Sequence, residues 1–168
     1  MKARGLLVAA CATSLLVAGT GTAAAPTKHI TPSGVGKVKL GKTYRQLQHR
    51  HLIGRIRHGC ELGGPNTRTA RLRAPLKGSV NFTLTKPRKV TDITIRGGAK
   101  ARGVGIGATI QQIKAAFPKA KVDHSTDHTF LLTLVRIPKS GGGRLMFAVD
   151  TKTHKATLIG IPIIAFCE

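Results

Sequence analysis

The sequence predicts an α+β fold: two tandem repeats, each a short helix followed by three antiparallel strands, sharing a core or a continuous sheet. Three recurrences carry this reading. Leu40-Gly41-Lys42-Thr43-Tyr44-Arg45-Gln46-Leu47 returns 66 residues later as Ile106-Gly107-Ala108-Thr109-Ile110-Gln111-Gln112-Ile113. Gly78-Ser79-Val80-Asn81-Phe82 returns 65 residues later as Gly143-Arg144-Leu145-Met146-Phe147. Lys89-Val90-Thr91-Asp92-Ile93-Thr94-Ile95 returns 66 on as Lys155-Ala156-Thr157-Leu158-Ile159-Gly160-Ile161. Matches in one order over so long a period mark a supersecondary unit used twice. The units span 34–98 and 99–168. Each is marginal alone, so they should form one compact body.

The elements follow in chain order. Residues 1–25 read as a secretory signal peptide. Lys2 and Arg4 begin it, an uncharged and mainly apolar run covers Gly5 to Ala18, and Thr22-Ala23-Ala24-Ala25 offers small residues for cleavage before Pro26. Val8-Ala9-Ala10-Cys11 resembles a lipoprotein cleavage box, so lipidation of Cys11 stands as the alternative. The apolar run continues beyond Cys11, which favours its removal with the signal. Residues 26–33 read as a flexible basic arm, and Val35 to Leu40 as a short edge strand.

Thr43 with Gln46, and Thr109 with Gln112, have the spacing of a capping box, in which hydroxyl and amide side chains satisfy the first helical N–H groups. Tyr44, Leu47 and His51 then share one helix face, as do Ile110, Ile113 and Phe117, and Pro118 stops the second helix. The first strands are expected at Thr69–Ala74 and Phe130–Ile137, each closing on Arg-x-Pro. Val80, Phe82 and Leu84 form one buried row, and Leu145, Phe147 and Val149 its copy. Ile93 with Ile95, and Ile159 with Ile161, mark the third strands, and Gly97–Gly103 reads as the link between repeats.

Two copies of Gly-x-Thr-x-x-Gln-[Leu/Ile], each leading into a small antiparallel sheet behind a signal peptide, resemble the beta-lactamase-inhibitor-protein-like group and the related outer-membrane assembly lipoprotein fold. That resemblance implies a helix-capped curved sheet used to bind proteins. The chain departs from the inhibitor pattern, for it has no Trp, only one Tyr and no within-repeat cysteine pairs. The aromatic anchors of a tight protein interface are therefore missing.

Composition bounds the chemistry. The chain holds 28 Lys and Arg against 6 Asp and Glu, a formal charge of +22. Such an imbalance points to anionic partners, while a general solubilising surface bias is the competing reading. Past the signal only Cys60 and Cys167 remain, which in an oxidising compartment read as one disulfide; an intermolecular bridge or two free thiols are the alternatives.

Gly103-Val104-Gly105-Ile106-Gly107-Ala108 fits a dinucleotide fingerprint, but the first repeat has lysines in its place and the preceding strand ends too early. No cofactor is expected. Asp123-His124-Ser125-Thr126-Asp127-His128 offers His124 and His128 as weak metal ligands without a strong third ligand nearby. No serine lies in a nucleophile elbow, so no catalytic residue is assigned. Arg45, Arg50, Arg55, Arg57, Arg68, Arg71 and Arg73 crowd the first repeat and are the anion-binding candidates. Sequence-specific nucleic-acid binding is not expected, because stacking aromatics and known motifs are lacking.

The functional expectation is a secreted or envelope-associated, non-enzymatic binding module without a transmembrane segment in its mature part. It docks a protein on its polar sheet face, or an anionic polymer such as cell wall or lipid headgroups on the arginines. A small extracellular enzyme or metal-binding protein using the loop from Asp123 to His128 is the alternative.

Overall fold

The computed structural model describes residues 27–60, 66–140 and 143–166. The chain begins there with β1 (Lys28–Thr31), β2 (Gly34–Val35), β3 (Val38–Lys39) and α1 (Tyr44–His49). Next come β4 (Arg57–His58), β5 (Arg68–Arg71), β6 (Lys77–Phe82) and β7 (Val90–Gly97). They are followed by β8 (Ala99–Ala101), β9 (Val104–Gly105), α2 (Ile110–Ala116) and β10 (Lys121–Asp123). Last are α3 (Asp127–Phe130), β11 (Leu132–Ser140), β12 (Gly143–Asp150) and β13 (Ala156–Ile161).

This overturns the α+β expectation. Of the described residues 46% are in strands and 13% in helices. The helices are six, seven and four residues long, and the strands form sheets of eight and five. Helix-plus-three-strand repeats are therefore not the architecture. A capping box fixes where a helix starts and says nothing about its length. α1 ends at His49, and His51 then turns left-handed at φ 53° instead of extending the apolar face.

The large sheet runs β10-β11-β12-β13-β7-β6-β5-β4, antiparallel throughout. Its centre is the seam between β7 and β13, where Ile95 faces Ile159 and Ile93 faces Ile161. Its edges are short, two residues at β4 and three at β10. The small sheet runs β3-β2-β1-β8-β9, with β1 parallel to β8. Two expectations are corrected by it. Part of the segment read as a flexible arm is β1, with Ile30 buried, and the glycine-rich link contains β8.

Alternation places the core. Val80, Phe82, Ile93, Ile95, Phe147 and Ile159 line one face of the large sheet. That face is closed by Ile30, Val35 and Val38 of the small sheet, Leu47 of α1, and Ile113 with Phe117. Leu84 leaves the expected buried row and is exposed, because β6 ends at Phe82 and the chain turns away. On the opposite face, Leu134, Met146, Ala148 and Leu158 pack under Ile164 and Phe166 of the C-terminal tail. A Cβ on Gly160 would collide with the Ile163 backbone, so glycine permits the tail to cross there.

Both capping boxes are formed. The Gln46 N–H donates to Thr43 Oγ1 at 3.2 Å, and the Thr43 N–H donates to Gln46 Oε1 at 3.0 Å. The equivalent distances at Thr109 and Gln112 are 3.2 and 2.9 Å. Thr43→Ala and Thr109→Ala are each expected to cost about 1 kcal/mol in denaturant unfolding.

Cys60 is half-buried, with its Sγ 3.9 Å from the Phe166 carbonyl oxygen. The expected disulfide to Cys167 involves a residue outside the described ones. The signal segment and Cys11 also lie outside them. No described helix is long and apolar enough to cross a membrane.

Candidate anion-binding site

The strand β5 and the segment before β4 build the site. Ile53 and Leu72 form an antiparallel bridge and are both buried. Beside them, the Gly54 N–H donates to the Arg71 carbonyl at 2.8 Å and the Arg73 N–H to the Leu52 carbonyl at 3.0 Å. With Leu72 turned into the core, alternation turns Arg71 and Arg73 out to solvent. Arg73 Nε also donates to the Ile53 carbonyl at 3.3 Å, which holds its guanidinium against the bridge. Arg57 enters from the neighbouring edge strand, where it pairs with Thr69.

These residues surround an open groove of about 590 Å³, lined by Arg55, Arg57, Arg71, Arg73 and His51. The other three candidates are elsewhere. Arg45 is exposed on α1. Arg50 caps the end of that helix, near Lys37 and Lys42. Arg68 lies across from His58 and Phe82, on the opposite strand face from Arg71, and its Nη1 donates to the Thr67 carbonyl at 2.8 Å. Residues 68, 71 and 73 are neighbours in sequence, but only an odd offset separates 68 from 71, so they cannot share a face.

No carboxylate neutralises the groove among the described residues. The two ion pairs there are Arg136 with Asp123, and His124 with Asp127 at 2.7 Å. Each described acid is engaged locally. The Ser125 N–H and Arg136 hold the Asp123 carboxyl below its ordinary range, and His124 does the same for Asp127. The Thr153 and Lys152 N–H groups lower Asp150.

Asp92 behaves oppositely. Burial pushes its carboxyl up, against the donating Thr91 hydroxyl and Asn81 amide. A carboxyl raised by folding is most favourable while protonated, so its contribution to stability falls as pH rises through its folded-state value. Asp92→Asn keeps both hydrogen-bonding neighbours and removes the buried charge. Thermal melts should show the variant more stable at pH 7 and equal to the parent near pH 3, below the ordinary carboxyl range of about 4.

The loop from Asp123 to His128 is partly helical, with His128 on α3 and exposed His124 bound to Asp127. No three His, Cys, Asp or Glu side chains converge among the described residues. Gly103 sits in the turn between β8 and β9 and Gly107 just before α2, both at positive φ; the fingerprint therefore spans a hairpin and its exit.

No protein-family model, curated protein or solved structure matches this chain.

A second depression, of about 510 Å³, lies between β1, the end of α2 and the paired strands β11 and β12. Ile30, Phe117, Ile137 and Leu145 line it, with Arg102 at 5.1 Å from the centre of the Phe117 ring. Sequence reasoning missed it because its walls come from five separate segments. The two proline steps Phe117-Pro118, at the end of α2, and Ile137-Pro138, within β11, were the available signal.

Proposed function

We propose that the chain is a secreted, non-enzymatic binding module that holds an anionic polymer of the cell envelope in the groove of Arg55, Arg57, Arg71 and Arg73. The observation that supports this is the convergence of four guanidinium-bearing residues on one open groove without a carboxylate partner among the described residues. Guanidinium groups match phosphate and carboxylate oxygens two at a time. An open groove admits a chain that extends past both ends. Secretion rests on residues 1–25 alone.

Docking of a protein on the polar sheet face receives less support. Thr69, Ser79, Asn81 and Thr94 share that face through the register, but Thr94 and Asp92 are already buried. What remains is a narrow, half-buried strip without an aromatic anchor.

Calorimetric titration with inorganic polyphosphate as the probe tests the polymer reading. Binding should weaken steeply between about 50 and 200 mM salt, because neutralising phosphates releases counterions. Affinity that stays flat over that range rejects it.

A further inference from the structure

The depression against Phe117 differs in kind from the arginine groove. Its floor is the protein core: Leu145, Ile30 and Ala101 line it, yet are only 2%, 3% and 2% exposed. Cations stand at its rim, where Arg102 and Lys119 are exposed beside the exposed His29. Lining of this kind, apolar within and charged at one margin, is that of a small-molecule site, and the volume lies within the usual range of about 300–1,000 Å³.

The first half of the chain supplies an internal comparison. A depression also lies there, at the end of α1 and the Arg73-Ala74-Pro75 step, but its volume is about 270 Å³. Phe117 is replaced by His51 at the repeat spacing, and Ile137 by Ala74 within the Arg-x-Pro step. Lys28, Lys37 and Arg73 line this smaller depression. The depression in the first half is thus about half the size, and Val38, Leu52 and Leu76 line it beside those cations.

Arg102 is held in place at some conformational expense. It occupies the first position of the two-residue turn between β8 and β9, with φ 47°, and Gly103 follows at φ 83°. Asn, Asp or Gly normally fill such a turn. Arg102 instead lays its guanidinium over Phe117 and donates from Nη1 to the Ala116 carbonyl at 3.4 Å. A cation is thereby fixed at the margin of an apolar cavity.

We infer that this depression binds a single-chain fatty carboxylate, its alkyl chain against Ile137, Pro118, Pro138 and the Phe117 ring, over the buried floor of Ile30 and Leu145, and its carboxylate on Arg102. Lys119 and His29 provide further donors at the same rim. Charge complementarity selects an anion, and a volume of about 510 Å³ favours one alkyl chain. This site is separate from the arginine groove, shares no lining residue with it, and does not depend on the polymer reading.

The test is calorimetric titration of the intact protein with octanoate, decanoate and dodecanoate below their micellar concentrations. Affinity should rise about two- to fourfold for each added methylene, as burial of alkyl surface requires. Decyl glucoside, which is neutral, and decylamine, which is cationic, should bind more weakly than decanoate. Arg102→Gly relieves the left-handed residue, so loss of binding cannot be laid to misfolding. It should weaken decanoate about tenfold or more and leave decyl glucoside unchanged. Ile137→Glu, checked for an unaltered circular dichroism spectrum, should abolish binding of all three carboxylates. Replacing Arg55, Arg57, Arg71 and Arg73 with Gln should leave decanoate affinity unaltered. Affinity independent of chain length, decylamine binding as well as decanoate, or binding only to vesicles of anionic phospholipid would each overturn the proposal, the last in favour of a bilayer surface.

Discussion

Replacing Arg55, Arg57, Arg71 and Arg73 together with Gln is expected to abolish salt-dependent binding of polyphosphate. If each arginine neutralises one phosphate of a flexible single-stranded polyanion, four contacts give a logarithmic salt slope near −3. Affinity of the parent protein should then fall about fifty-fold between 50 and 200 mM salt, and the variant should lose most of this dependence. All four side chains are exposed, so the substitutions should leave thermal stability nearly unchanged. The decisive control concerns bulk charge. The chain carries +22, of which the four arginines are a minor share. Replacing exposed Lys86, Lys114, Lys152 and Lys155 with Gln removes the same charge from other places. That second variant should keep most of the affinity. If both variants lose it equally, the groove is not a site and a diffuse positive surface is sufficient.

Gly78→Ala is expected to be the most damaging small substitution in the large sheet. Gly78 has φ 139°, a conformation that side chains other than hydrogen rarely adopt, and it sits where the register of β6 against β7 shifts. A Cβ there would strike the Thr94 carbonyl and approach the Ile95 Cα. Those atoms belong to β7, which is held on its other side by β13 at the central seam. They cannot give way without moving both halves of the sheet. The loss should reach about 3 kcal/mol or more, combining backbone strain with the collision. Melting should fall by about 10 °C for a chain of this size. Gly103→Ala separates the two causes. Its φ is 83° and nothing lies within 4 Å of the added carbon, so it should cost only about 1 kcal/mol. Equal losses in the two variants would show that the collision with β7 is not felt.

The sequence revealed those features that are set by neighbours in the chain. The Thr43 and Thr109 capping boxes are local hydrogen-bond geometry, and their spacing alone places them. The buried rows of β6 and β12 follow from alternation, up to Leu84, where a turn ends the strand but not the hydrophobic pattern. Features set by distant partners were hidden. β1 is four residues long, and its parallel partner β8 lies about 70 residues away. Neither carries a periodicity long enough to mark a strand, so one was read as an arm and the other as a link. The missed small sheet and the brevity of α1 together account for the wrong fold class. The site was legible to the same degree. Arg71 and Arg73 converge because they alternate about buried Leu72, which the sequence shows. Arg45 and Arg50 separate from them because α1 stops after six residues, which the sequence does not show.

The two ends of the large sheet bear on how copies of this chain behave when crowded together. An open sheet edge is a template on which another strand can add, and such growth leads to aggregation. Here the outermost strands are two and three residues long, and they present Arg57, His58 and Lys121. An incoming copy would meet a short ladder and a like charge at both ends. Arg57 thus serves the groove and, together with Lys121 at the far edge, protects a β-rich chain from polymerising with itself.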